Sequence, residues 1–387
     1  MTSLRPKTLL LLLPALLCPA AAHAAGTSSA AFLRIGWGAR PAAMGEAFTA
    51  VADDADALYW NPAGLSYVAR LEQTFGHNSW LDGVGMQHAS FALRRSTRVV
   101  VGAAAAILGT GDIERGNKYG YTEGYYSASD TALIASYSRR LSPKLALGGN
   151  LKFIKERVED ASAQAFAMDA GTVYEYSGRI KLGASLKNLG TGMALGETSA
   201  PLPLGLRAGA AFQYSKALLL ASDLHLPLDD TPSLHFGGEY LYPSAVKGVR
   251  LILRAGLKTA SMGHLGAMSA VSLGFGAETG TAGLDYALSP YGDLGMTHRI
   301  SLKLKFDALS AGTGEITVVR DGKEVKKGAA ELYAEAMQWF EAKVSEGKMD
   351  RAERALILGR IIEKFSALGV DVSLARQKLG GKSAPGP

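Results

Sequence analysis

The chain has 387 residues, a formal net charge of +6, 46 glycines and one cysteine. That length leaves room for more than one domain. A lone cysteine excludes a disulfide framework, and cations spread along the chain without a run exclude an electrostatic footprint for nucleic acid.

Residues 1–25 read as a secretory signal. Arg5 and Lys7 form a basic n-region, "TLLLLLPALL" an apolar h-region, and "AHA" (Ala22 to Ala24) a small-residue cleavage site. Cys18 leaves with this segment, so the mature chain is expected to lack disulfides and thiol chemistry. Loss of Arg5 and Lys7 lowers the formal charge by two, to +4. Leu17 is too bulky before Cys18 for a lipoprotein anchor. No mature stretch stays apolar for the roughly 18 residues of a spanning helix. The longest, "VVVGAAAAILG", is about half that. A membrane location therefore demands a closed β-barrel.

Residues 26–70 have short helical spacing, an acidic cluster at Asp53, Asp54 and Asp56, and then "WNPAGL" from Trp60 to Leu65. Asn61 precedes Pro62 and is biased to extended backbone, so a helix should stop there, and Gly64 should free the chain to turn. The acidic cluster lacks the alternating oxygens and closing glutamate of a calcium loop, so helix capping is its expected role. The segment is too short and too mixed to fold alone, and a barrel lumen would enclose it as a hatch.

From Leu71 to Phe306 one texture repeats. Fourteen segments of roughly ten residues alternate apolar with small or polar side chains. "LALGGNLKF" sets Leu145, Leu147, Leu151 and Phe153 on one side. "VRLILRAGLK" sets Val249, Leu251, Leu253, Ala255 and Leu257 against Arg250, Arg254 and Lys258. Prolines fall only in connections or at a strand's first residue. Short connections take turns with longer ones such as "GTGDIERGNKYGYTEGYYS", the asymmetry of transmembrane barrels. A soluble sandwich shares the alternation, but an export signal, an even strand count and this loop rhythm favour an all-β transmembrane barrel. The last segment, "HRISLKLKF", turns Ile300, Leu302, Leu304 and Phe306 to one side and Arg299, Ser301, Lys303 and Lys305 to the other. It fits a final strand whose terminal aromatic serves as a signal for the barrel assembly machinery.

"GARPAAMGEAFTAVADDADALYWNPAGL", "GTGDIER", "LSPKLALGGNLKFI", "LKNLG", "PLPLGLRAGAAF" and "SPYGDLGMTHRISLKLKF" resemble, in collinear order over residues 26–306, the PorV/PorQ family of outer-membrane proteins, relatives of the FadL fatty-acid transporters. The resemblance implies a 14-stranded barrel whose N-terminal hatch carries an Asn-Pro-Ala motif, here Asn61, Pro62 and Ala63, lodged in the lumen beside Trp60, Gly64 and Gly45. It also implies a docking or shuttle role in type IX-like secretion or cell-surface assembly for some members.

Residues 307–387 depart from that family's usual end and are expected to form a periplasmic extension. "EITVVRDGKEV" reads as a hairpin around Asp321-Gly322. Two amphipathic helices follow, one with Leu332, Ala336, Phe340 and Val344 on a face, the other with Ala355, Leu358, Ile362 and Phe365. Asp350 and Glu353 have capping-box spacing. "GGKSAPGP" should be disordered.

Catalytic chemistry is missing from the pattern. The seven histidines show no metal-ligand spacing, no phosphate-binding glycine loop occurs, and no cofactor is implied. Asp223 and His225 share a strand face, which points to a lumen hydrogen bond rather than an acid–base pair. Two functions remain. One is a plugged barrel that receives a secreted cargo protein or secretion-system component on outer loops, where Tyr119, Tyr121, Tyr125 and Tyr126 cluster. The other is a passive transporter of hydrophobic small molecules, set in outer-membrane lipid, in the FadL manner.

Overall fold

The computed structural model describes residues 27–306 and 315–380, apart from 245, 262–264, 321–322, 348 and 368–371. The expected signal peptide, the Asp321-Gly322 turn and the tail from 381 lie outside the described residues.

Alternation produces strands from Leu71 onward: β1 (Leu71–Ser79), β2 (Gly85–Arg94) and β3 (Val99–Gly109). A small hairpin, β4 (Ile113–Gly116) and β5 (Thr122–Tyr126), stands in the next loop. Then come β6 (Ala128–Ser142), β7 (Leu145–Val158), β8 (Ala161–Ser177), β9 (Ile180–Gly190), β10 (Gly205–Gln213) and β11 (Leu218–Pro227). The wall ends with β12 (Ser233–Tyr242), β13 (Arg250–Lys258), β14 (Val271–Glu278), β15 (Ala282–Pro290) and β16 (Met296–Lys305). Fourteen of these, all but β4 and β5, pair in chain order, and β16 returns to β1 to close the barrel. Closure leaves no strand edge unpaired, which a sheet surrounded by lipid requires.

Side chains are distributed opposite to the habit of water-soluble proteins. Leu151 and Phe166 point outward at 64% and 66% exposure, whereas Lys152, Arg254 and Lys303 point inward at 3% each. In the final strand Ile300 and Leu302 are exposed, and Arg299, Ser301 and Lys303 are buried. Large apolar side chains on the outside and cations within make sense only if hydrocarbon surrounds the wall.

One connection breaks the expected loop rhythm. At the long-loop end, β7 and β8 are joined by Glu159 and Asp160 alone. The chain is spent on strand instead, 14 residues in β7 and 17 in β8, so the wall extends where a loop was expected.

The lumen is filled by the N-terminal segment. It forms a 3-10 turn (Ala31–Arg34), short helices at Ala39–Ala43 and Ala57–Trp60, and a second 3-10 turn (Pro62–Tyr67). Met44, Phe48, Leu58, Trp60 and Leu65 are fully buried there. The helix does stop at Asn61, whose backbone is extended at φ −160° and ψ 104°. Gly64 differs from expectation. It sits inside the second 3-10 turn, and what it supplies is space, since a side chain there would strike Ala52.

Residues from Lys305 form a second compact unit. It contains β17 (Glu315–Arg320), β18 (Lys323–Gly328) and three helices, Ala329–Ser345, Arg351–Ala367 and Ser373–Gly380, one more helix than the periodicity predicts. Phe340, Leu358 and Phe365 share its core with Ala375 of the third helix. Ala355 is exposed, whereas Ile361, outside the expected set, is buried in the core. Asp350 and Glu353 form the reciprocal capping box, with Glu353 N donating to Asp350 Oδ1 at 2.8 Å and Asp350 N to Glu353 Oε2 at 3.1 Å.

Candidate functional site

The hatch docks onto wall positions that have no side chain. Gly148 of β7 lies directly opposite Gly171 of β8, Gly183 of β9 opposite Gly209 of β10, and Gly237 of β12 opposite Gly256 of β13. Two adjacent glycines across a ladder leave a dimple in which another backbone can approach the sheet. Each dimple holds one hatch segment. A methyl group at Gly148 would overlap the Pro62–Ala63 peptide, and one at Gly171 would overlap Asn61 Oδ1. At Gly183 it would lie 2.5 Å from Thr49 O, and at Gly237 2.5 Å from Met44 O. Gly256 is likewise filled by Gly45, whose φ of +60° only glycine adopts without strain.

Polar side chains lock each seat. Asn61 is fully buried; its Nδ2 donates to Thr49 O (2.8 Å) and to Thr172 O of β8 (3.0 Å), and its Oδ1 accepts from Ala63 N (3.2 Å). Ser138 Oγ donates to Ala63 O, Ser185 Oγ to Trp60 O, and Asn150 Nδ2 to Leu58 O. Trp60 Nε1 donates to Trp37 O at 2.9 Å, holding two parts of the hatch together. Gly45 N donates to Ser272 Oγ, and its carbonyl lies 2.7 Å from His235 Nδ1. The carboxylate of Asp223 accepts Phe48 N (3.0 Å), Thr49 N (2.9 Å) and Thr49 Oγ1 (2.6 Å). Asp223 therefore makes the expected lumen hydrogen bonds, and their partner is the hatch.

At the short-turn end, charges tie hatch to wall. Arg40 reaches Asp53 at 2.6 Å and Glu239 at 2.8 Å, Arg254 bridges Glu239 and Asp285, and Lys303 reaches Asp54 at 2.8 Å. Capping is one role of the acidic cluster and falls to Asp54, whose Oδ1 accepts Asp56 N at 3.2 Å where the chain enters the helix, whereas Asp56 itself makes no capping bond and accepts from Ser90 Oγ at 2.8 Å. Asp53 and Asp54 are also drawn to cations, Arg40 and Lys303, that the fold brings to them.

At the long-loop end the hatch floors a cavity of about 460 Å³. Loops contribute Trp80, Pro203, Leu265 and Tyr291, the wall contributes Arg207, His225, His235 and Lys258, and the hatch contributes Arg34, Ile35 and Glu46. Trp80 and Tyr291 meet edge to face at 4.9 Å. Burial alone would raise the Glu46 carboxyl, but Lys258 at 3.4 Å and Arg207 at 3.6 Å outweigh it and hold the group well below the usual carboxylate range. A second cavity of about 160 Å³ opens at the short-turn end, around Asp53, Glu175 and Lys181. The two share no lining residue, and the hatch lines both, with Arg34, Ile35 and Glu46 at the first and Ala50, Val51 and Asp53 at the second.

The structure thus gathers Gly45, Trp60, Asn61, Pro62, Ala63 and Gly64 into one buried plug. The tyrosines lie elsewhere: Tyr119, Tyr121 and Tyr125 are exposed in or beside the β4–β5 hairpin, and Tyr126 is half-buried. Sequence reasoning missed the paired glycines, Asp223 as an anchor and the mouth cavity. The abundance of glycine was the one available signal.

Fold and plug define a class, the hatch-closed fourteen-stranded transmembrane barrel of outer-membrane type. Residues 21–170 match the model of an uncharacterised protein family, UPF0164. No curated protein matches the chain. Among solved structures, a monoaromatic hydrocarbon channel, CymD, is similar with a TM-score of 0.51 and 13% identity, over 70% of this chain and 98% of that one. The Pseudomonas putida toluene transporter TodX is similar with a TM-score of 0.51 and 13% identity, over 70% and 99%. Both likenesses are of fold.

Proposed function

We propose that the protein is an outer-membrane channel for hydrophobic small molecules, held closed by its hatch. The observation that carries this reading is the mouth cavity of about 460 Å³ with its Trp80–Tyr291 pair. Its size lies within the roughly 300–1,000 Å³ of small-molecule pockets. The shared fold with a hydrocarbon channel and a toluene transporter supports it. Because the hatch lines both the mouth and the opposite cavity, passage requires the hatch to shift from its seats. Cells producing the protein should take up toluene faster than cells without it, and sucrose at the same rate. Equal toluene uptake, with the barrel verified in the outer membrane, would refute the reading.

The exposed tyrosines of the β4–β5 hairpin favour a second reading, a docking surface for a secreted cargo or secretion-system protein. Tagged protein should then recover a specific secreted partner from native membranes, and replacing Tyr119, Tyr121 and Tyr125 by serine should abolish recovery. On either reading Ile300, Leu302, Leu304 and Phe306 present the barrel's end to its assembly machinery. The unit that follows β16, which ends on the short-turn side, is then periplasmic.

A further inference from the structure

We infer that the barrel binds one small monovalent anion at Lys187, in a pocket beneath the mouth cavity. Lys187 of β9 points inward and is 7% exposed. Its Nζ lies 3.3 Å from the ring centroid of Tyr59 and 5.7 Å from that of Trp60. An aromatic face attracts the ammonium but satisfies few of its three N–H donors. Among the described residues no hydrogen-bond acceptor or carboxylate partners it. The carboxylates nearby are taken: Asp169 by Lys152 at 2.7 Å and Asn150, Glu46 by Arg207 and Lys258. A buried charge without a partner is costly, so Lys187 can hold its ammonium form here only with an anion beside it.

Space for one exists. A small cavity of about 30 Å³ is lined by Lys187, Arg207, Arg34, Tyr59, Asn188 and His225, among others. That is about the share of one water molecule, and a halide or one arm of a carboxylate fits. On the same cavity Arg34 Nε is buried with no hydrogen-bond partner, while the terminal nitrogens of that guanidinium are held by Asp229, Asp230 and Ser28. Arg34, Arg207 and His225 line the mouth cavity as well, so a negatively charged group can reach the pocket from the mouth. The shared chemistry is a single negative charge, free as an inorganic ion or carried as the head of an apolar acid.

This inference does not depend on the transport reading, because it is tested by binding and not by uptake. Crystals of the detergent-purified full chain, soaked in sodium bromide, should show an anomalous peak within about 3.5 Å of Lys187 Nζ. Lys187→Met should lose the peak, together with the rise in unfolding midpoint that bromide gives the wild type over gluconate at equal ionic strength. If Lys187→Met fails to fold, Lys187→Gln keeps a donor without the charge and should behave in the same way. Benzoate that displaces the bromide, with its ring in the mouth cavity, identifies a carboxylate head; benzoate that leaves the bromide in place identifies an inorganic ion. Either result upholds the site. No peak in well-diffracting wild-type crystals, or a peak that persists in either variant, overturns it.

Discussion

Gly148 and Gly171 face each other across the β7–β8 ladder, and the space left by their absent side chains is occupied by the Asn61–Pro62 turn of the hatch. Plug and wall are therefore complementary at the level of backbone, with hydrogen bonds added afterwards.

Filling that space should unseat the plug. Gly171→Ala puts a methyl group against Asn61 Oδ1, an overpacking that costs about 1–3 kcal/mol. The strand itself tolerates alanine, so the barrel should still form while leakage of small solutes rises in liposome swelling. Gly178→Ala, where nothing lies within 4 Å, should leave leakage at the wild-type level.

Asn61→Ala strands Thr49 O, Thr172 O and Ala63 N without their partner. Each buried group left unpaired costs about 1–3 kcal/mol. Permeability should increase with the barrel intact, shown by unchanged heat-dependent migration on gels. Unaltered leakage would remove the motif from any gating role.

Asp223 and Thr49 should behave as one unit. Asp223→Ala removes three hydrogen bonds from the hatch, whereas Thr49→Val removes the one from its hydroxyl. Bonds to a charged acceptor are worth about 1.5–3 kcal/mol. Protease cleavage near Thr49 should accelerate more in Asp223→Ala, and the double variant should fall short of the sum of the two.

The lipid-facing side can be tested with one cation. Leu302→Arg places a charge on the outer face of the final strand, where it costs about 2–4 kcal/mol at the bilayer midplane. Assembled protein in the membrane should fall sharply. Tyr121→Arg, on the exposed β4–β5 loop, should assemble normally.

The wall was legible because a period of two survives whichever medium lies on each side. What told lipid from core was the export signal, the even strand count and the rhythm of short and long connections; that Lys152, Arg254 and Lys303 face inward is shown only by the closed wall. The seats were not legible. Gly148 and Gly171 are unremarkable along the chain, and only the register of β7 against β8 makes them a pair. The cluster Asp53, Asp54 and Asp56 was legible only in part, for a related reason: the cap that Asp54 makes is local and visible, whereas Lys303 becomes its neighbour only when the last strand closes on the first. The third C-terminal helix escaped notice because "SLARQKLG" is short and half polar, and among its described side chains only Ala375 is fully buried.

The seats follow one another along the hatch, Met44–Gly45 first, then Thr49, then Asn61–Pro62, each on a different pair of strands. A tug on the amino-terminal end would load them in series, like stitches pulled from one end of a seam. The plug would come free by successive small ruptures, none as large as the whole, and a pore that must open without destroying its own wall gains from being unlaced in that order.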